Sequence, residues 1–146
     1  MITEAPTGRV AHAVVIDEPL DVVSHLDAVR GPDHGAVDVF VGTIRDHDPE
    51  AQGTVTRLEY EAHPDAEGML RALATRVAQN TGTTIAVSHR YGTLQVGDVA
   101  VVVASAAPHR AEALEATRAL IELIKTEVAI WKRQADANGR TGWVGL

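Results

Sequence analysis

A short connection between two strand-like segments limits how this chain can fold. Residues 83–92 (TTIAVSHRYG) and 98–107 (DVAVVVASAA) are rich in β-branched and small apolar residues, and both predict strands. The segment between them, TLQVGD, is too short for the crossover that joins neighbouring parallel strands. We therefore expect an antiparallel component in the sheet.

The other segments alternate irregularly between the two kinds of pattern. Strands are predicted at residues 9–16, 36–45 and 54–62, with shorter extended segments at 128–132 and 143–146. Helices are predicted at residues 18–30, 63–82 and 108–127. The apolar stripe of the third helix is expected to consist of Leu114, Thr117, Leu120, Ile121, Ile124 and Val128. The sequence predicts one α+β domain over residues 1–146, with a mixed or largely antiparallel sheet and about three helices.

Composition excludes several classes of function. The net charge of −7 argues against non-specific binding to nucleic acid. With no cysteine, the chain has neither a thiolate nucleophile nor a sulfur-based metal site. No apolar run is long enough to cross a bilayer and no signal pattern opens the chain, so we expect a cytoplasmic protein. The motif DHD at residues 46–48 is interpreted as hydrated loop charges, and no metal site is predicted.

Three cationic clusters stand out against this acidic background. Arg45 ends a predicted strand, where a rigid element can aim a side chain into a cleft. His109 and Arg110 open the third helix, where the helix dipole favours an anion rather than a cation. Lys125 and Lys132 bracket an apolar run that ends in a tryptophan. Each cluster has an ordinary alternative as solvated charge, and Lys125 alone suits the dipole of a helix C-terminus.

The length of the third helix separates two of these clusters. At 1.5 Å per residue, Arg110 and Lys125 lie about 22 Å apart along the helix. One small ligand cannot touch both ends. Either the clusters serve separate sites, or a second copy of the chain completes a shared site in a homodimer.

The ordered motifs resemble one known family, the MoaE family of large, catalytic molybdopterin synthase subunits. The resemblance covers nearly the whole chain and rests on GAVDVFVGTIRDH, LEYEAHPDAEGM, SHRYGTLQVGD, ASAAPHRAEALEA and LIKTEVAIWKRQ. It implies an α/β-hammerhead-type α+β fold. It also implies a sulfurtransferase that inserts two sulfurs into cyclic pyranopterin monophosphate to form the dithiolene of molybdopterin.

The resemblance further implies partners and site residues. The sulfur would arrive as a thiocarboxylate on the Gly-Gly C-terminus of a small ubiquitin-like subunit, on a homodimer that forms a heterotetramer. No resident cofactor is implied, because the partner carries the sulfur. Lys125 and Lys132 would be catalytic, Lys125 as general base or acyl acceptor and Lys132 as an oxyanion stabiliser. The implied substrate-binding set is Thr43, Ile44, Arg45, His109, Arg110, Lys125, Lys132, Arg133 and Gln134.

The chain departs from the family pattern at a few positions. Asp46, Ala129 and Gln134 stand where asparagine, proline and glutamate are frequent, and the sequence ends soon after WVG. These departures leave open a non-catalytic docking module for a ubiquitin-like tail. A general phosphate-ester binding domain is a further alternative.

Overall fold

A computed structural model describes the backbone of residues 8–46, 55–136 and 141–144, and the side chains of residues 8–46 and 57–130. These ranges contain three helices, α1 (Val22–Val29), α2 (Ala66–Thr81) and α3 (Arg110–Glu127). They also contain eight strands: β1 (Arg9–Ile16), β2 (Ala36–Thr43), β3 (Val55–Ala62), β4 (Thr84–Arg90), β5 (Gly92–Gln95), β6 (Val99–Ala107), β7 (Ile130–Asp136) and β8 (Thr141–Val144).

The first sheet has the strand order β1-β4-β6-β2. Strands β1 and β4 are parallel, whereas β4–β6 and β2–β6 are antiparallel. The mixed sheet and the antiparallel arrangement expected from the short connection are both confirmed.

The second sheet is antiparallel, with the order β5-β3-β7-β8. Its edge strand β5 begins at Gly92, the last residue of the predicted strand 83–92, and continues into the segment TLQVGD, which the sequence pattern predicted only as a connection. Gly92 and Gly97 flank this strand with φ values of 97° and 92°, a backbone conformation that favours glycine. Strand β7 also continues to Asp136, beyond the short extended segment predicted at 128–132.

Helices cover both faces of the first sheet. Helices α2 and α3 pack on one face through the main core, which also includes Leu58, Tyr60 and Leu94 of the second sheet. The short helix α1 packs on the opposite face, around Val29, Ala86, Ala104 and Ala106. Both sheets therefore share one hydrophobic core.

The buried face of α3 differs from the predicted stripe at one position. Leu114 is 54% exposed, so its assignment to the stripe was wrong, whereas Thr117, Leu120, Ile121, Ile124 and Val128 are buried as predicted. Ala113 and Ala116 are fully buried in its place. Small side chains bring the helix close to the sheet, which turns the buried face away from Leu114.

Local capping sets where the helices begin and end. The Asp21 carboxylate accepts hydrogen bonds from the amides of Val23 (3.0 Å) and Ser24 (3.3 Å), so α1 begins at Val22 and not at the predicted residue 18. Helix α2 ends at Gly82, whose φ is 68°.

Side chains from α2 bond the outer edge of β1. The Glu67 carboxylate accepts from the Val15 amide (3.0 Å), and the Arg71 guanidinium donates to the Ala13 carbonyl (3.1 Å). These bonds satisfy backbone groups that an edge strand otherwise exposes. None of the helices in the described ranges is both long and apolar enough to cross a membrane.

Candidate functional site

The end of β2 presents the first predicted cation. Thr43 is its last residue, Ile44 is buried and Arg45 is exposed. The Ile44 amide donates to the Asp98 carbonyl (3.0 Å), and the Ile44 carbonyl accepts from the Gly97 amide (2.8 Å). The backbone before Arg45 is therefore fixed on both sides of Ile44 by the turn that joins β5 to β6.

His109 and Arg110 lie at the beginning of α3, and both are exposed. His109 is the N-cap residue, but its side chain makes no capping hydrogen bond. The first amides of the helix therefore lack the side-chain acceptor that usually satisfies them. Two cationic or titratable side chains beside these amides form a surface suited to a negatively charged ligand.

These two groups lie at opposite ends of β2. Ala36 pairs with Ala107, next to the beginning of α3, whereas Thr43 pairs with Val99, next to Arg45. Seven residue steps at about 3.3 Å separate the two ends by roughly 23 Å. Within one chain, the structure does not bring His109 and Arg110 together with Arg45.

Lys125 lies in the last turn of α3 and is exposed, as the sequence predicted. The chain leaves the helix through a hydrogen bond from the Val128 amide to Ile124 (3.3 Å). The Ala129 carbonyl then accepts from the His63 amide (3.0 Å). These bonds tie the connection between α3 and β7 to the residue that follows β3, and β7 carries the second predicted lysine.

Lys132, Arg133 and Gln134 lie on the backbone of β7, between β3 and β8, and their side chains are outside the described residues. Gln134 is opposite Leu58, and Leu58 is in turn opposite Leu94 of β5. Strand β7 is therefore two strand spacings, about 10 Å, from β5, the strand that precedes the turn bonded to Ile44. This places the β7 residues towards the Arg45 end of the first sheet.

Two buried aromatic side chains are in contact where the two sheets meet. Tyr60, opposite Lys132, contacts His89 of β4 edge-on, with ring centroids 5.3 Å apart. Burial raises the pKa of Tyr60 to about 12. Burial also lowers the pKa of His89 to about 4, although a hydrogen bond to the Arg90 carbonyl opposes that shift. Both side chains are neutral near pH 7, and nothing in the sequence pattern singled out this pair.

A cleft of about 320 Å³ is lined by Val15, Ala62, His63, Pro64, Ala66, Glu67 and Tyr91, and contains none of the predicted site residues. In the part of the chain that the structure describes, no group of three histidine or carboxylate side chains could hold a metal ion. Of the DHD motif, His47 and Asp48 lie outside the described residues.

Comparison with known proteins assigns the family. Residues 15–127 match the family described as MoaE protein. Molybdopterin synthase catalytic subunit 1 of Mycobacterium tuberculosis is 44% identical over 142 residues, covering 94% of this chain and 93% of that protein. The corresponding subunit of Halalkalibacterium halodurans is 37% identical over 134 residues, covering 90% of this chain and 83% of that protein.

A solved structure agrees with these sequence matches. The crystal structure of molybdopterin synthase from Staphylococcus aureus superposes with a TM-score of 0.84 at 33% identity, covering 92% of this chain and 97% of that chain. The chain belongs to the MoaE protein family. The predicted family, its α+β fold and its function as a molybdopterin synthase catalytic subunit, an enzyme, are confirmed. The roles of individual residues stay predictions.

Proposed function

We propose that this chain transfers sulfur to cyclic pyranopterin monophosphate at a site built from two copies of the chain. The proposal of a two-copy site rests on the distance between the exposed cations within one chain. His109 and Arg110 lie at one end of β2, and Arg45 lies at the other. A phosphate-bearing pterin is the kind of anion that such cations recognise.

Strand β2 supplies the surface through which two copies would meet. Within the described ranges, its outer edge pairs with no other strand. Val37 and Phe40 on this strand are 43% and 36% exposed, and Leu114 on the neighbouring α3 is 54% exposed. An unpaired edge beside exposed apolar side chains favours pairing with another strand.

A two-fold axis across β2 would bring the cations at the two ends of the strand close together. Antiparallel pairing of two β2 strands places the Ala36 end of one copy beside the Thr43 end of the other. His109 and Arg110 of one copy would then approach Arg45 of the second copy. The same operation creates two equivalent sites, as expected for a dimer with two-fold symmetry.

Each group in this site has a chemical role. Arg45, His109 and Arg110 would hold the phosphate and the incoming carboxylate tail. Lys125 would act as general base or as transient acceptor of the partner's acyl carbon, and Lys132 would stabilise oxyanionic charge as sulfur leaves the thiocarboxylate. Thr43, Ile44, Arg133 and Gln134 would line the substrate.

The sulfur donor would be a small ubiquitin-like subunit with a thiocarboxylated Gly-Gly C-terminus, giving a heterotetramer in the cytoplasm. In this proposal the chain holds no metal or other resident cofactor, and it contacts neither nucleic acid nor membrane. The sequence supports this arrangement because a chain without cysteine cannot carry the sulfur as its own persulfide. Full activity after exhaustive treatment with a chelator would support the cofactor proposal, and restoration by a metal would refute it.

The decisive experiment is single-turnover conversion of cyclic pyranopterin monophosphate with a thiocarboxylated small subunit. Lys125→Ala tests the proposed central residue. Arg30→Ala is the matched control, because Arg30 is an exposed cation at the end of α1, on the opposite face of the sheet. We expect the parent and the control to form product at similar rates, and Lys125→Ala to form it at least about 100-fold more slowly.

The other outcomes are informative. Similar rates of product formation by all three chains would move the chemistry away from Lys125. No product from any of them, with the small subunit still bound, would favour the non-catalytic docking module. Pterin binding that ignores the small subunit, without turnover, would favour a general phosphate-ester binding domain.

A further inference from the structure

We propose that Arg90 is a positioning residue for Arg45 and that it acts through Asp98. This inference rests on the proposed function, because it assigns Arg90 a part in presenting Arg45 to the anionic substrate. Arg90 is the last residue of β4 and belongs to none of the cationic clusters predicted from the sequence.

Arg90 is largely enclosed and has little choice of partner. Its side chain is 16% exposed, and its Nη1 lies 3.5 Å from Asp98 Oδ2. Its Nε atom is buried and has no hydrogen-bond partner among the described residues. A guanidinium stays charged in proteins, so the loss of Asp98 would leave an enclosed charge without a counter-ion. The pair is therefore held more firmly than an ordinary surface ion pair.

Asp98 in turn organises the turn at residues 95–98. Its carboxylate accepts from the Gln95 amide (2.9 Å), and its own amide donates to the Gln95 carbonyl (3.0 Å). Two hydrogen bonds join this turn to Ile44. The Asp98 carbonyl accepts one from the Ile44 amide, and the Gly97 amide donates the other to the Ile44 carbonyl. A continuous series of contacts thus joins Arg90 to Asp98, Asp98 to Ile44, and Ile44 to the next residue, Arg45.

The effect on Arg45 follows from these contacts. Arg45 is exposed, so neighbouring side chains do not enclose it, and its direction depends on the backbone from which it projects. A turn that loosens on one side would broaden the orientations of the Arg45 guanidinium. Ligand groups misplaced by about 1 Å can cost substantial rate, which makes a distant support of this kind consequential.

The experiment compares Arg90→Ala and Arg90→Lys with Arg76→Ala in the full-length chain. Arg76 makes an ion pair of similar length with Glu127 (3.4 Å), and no hydrogen bond or ion pair among the described residues joins that pair to Ile44. Hydrogen exchange at the Ile44 and Gly97 amides measures the turn directly. Steady-state kinetics with the thiocarboxylated small subunit measure KM and kcat for the pterin, in the parent and in an Arg45→Ala background.

We expect Arg90→Ala to accelerate exchange at both amides and to raise KM about tenfold with a smaller change in kcat. Arg90→Lys, which keeps the charge, should show smaller increases in the exchange rates and in KM than Arg90→Ala. Arg76→Ala should change neither quantity. In the Arg45→Ala background the effect of Arg90→Ala on KM shrinks to within about twofold, because the residue it positions is already absent.

Two results would overturn the proposal. One is exchange at Ile44 and Gly97 that is no faster in Arg90→Ala than in Arg76→Ala. The other is an equal rise in KM with and without Arg45, which would mean that Arg90 acts independently of it. The exchange measurement needs no turnover, so failure of the parent chain to convert the pterin would count against the proposed function alone.

Discussion

The ring of Tyr60 meets the ring of His89 edge-on, at 5.3 Å between centroids and 73° between planes, and this contact joins the two sheets. Both residues are buried. Tyr60 is opposite Lys132 on β7, and His89 is opposite Val101 on β6. The pair therefore fixes the position of the strand that carries Lys132 relative to the sheet that carries Arg45.

Because of His89, the free energy of unfolding should decrease as the pH is lowered. Its pKa is about 4 in the folded chain, below the ordinary 6.5, because burial disfavours the imidazolium. Above pH 6.5 neither state binds the proton. Between pH 6.5 and 4 only the unfolded state binds it, so the free energy of unfolding decreases by up to about 3 kcal/mol.

Denaturant unfolding from pH 7.5 to 4.5 measures this slope. His89→Gln should flatten it, because the buried imidazole is then absent. Part of the slope will remain, because burial, followed by His25 and Arg71, also lowers the pKa of His12. A slope unchanged by His89→Gln would contradict the prediction.

Removal of Lys125 should affect chemistry and not folding. Lys125 is exposed in the last turn of α3, so Lys125→Ala leaves the core intact. Loss of a general base or acyl acceptor slows the single-turnover step by about 10²- to 10⁴-fold. A thermal midpoint close to that of the parent, measured by calorimetry, would confirm that the loss is chemical. A rate within a few-fold of the parent would remove Lys125 from the mechanism.

A mixture of two inactive chains should regain activity if two copies share each site. His109→Ala and Lys125→Ala chains, refolded together in equal amounts, form mixed dimers as half of the population. Each mixed dimer holds one site with both residues intact, so the mixture should show about a quarter of the parent activity. Refolding each mutant alone gives the baseline, and a mixture that stays at this baseline would refute the shared site.

Disruption of the β2 edge should separate the dimer. Phe40 is 36% exposed on this strand, and Phe40→Lys places a charge where two copies are proposed to meet. The dissociation constant, measured by analytical ultracentrifugation, should rise by about 30-fold or more.

Val23→Lys is the control for this substitution. Val23 is 62% exposed on α1, away from β2's outer edge, and the change should leave the dimer intact. Equal weakening by both substitutions would indicate a general effect of charge, and no weakening by Phe40→Lys would place the interface elsewhere.

Strong local patterns made most of the fold predictable. The strand at residues 9–16 has the predicted bounds, and residues 36–43 and 99–107 form strands close to those expected. Strand β5 was missed because its four residues gain their stability from pairing with β3, more than 30 positions away along the chain. Such non-local pairing leaves little trace in a short polar segment.

The residues of the candidate site were proposed from the sequence and their roles stay predictions, whereas their arrangement could not be predicted from the sequence. Sequence motifs located Arg45, His109 and Lys125, and the rise of an α-helix separated Arg110 from Lys125. The support of Arg45 by Asp98 and Arg90 depends on hydrogen bonds between three segments that are distant in sequence. No periodicity within any one segment encodes such contacts.

The two side chains that bond the outer edge of β1 have a consequence for assembly. With Glu67 and Arg71 occupying the backbone groups of Val15 and Ala13, a strand that approached this edge would find two of its backbone groups already bonded. Addition of a strand is therefore less favourable at β1 than at β2. Of the two edges of the first sheet, β2 is therefore the one that offers its backbone groups to a further strand, which gives strand addition at this sheet a direction.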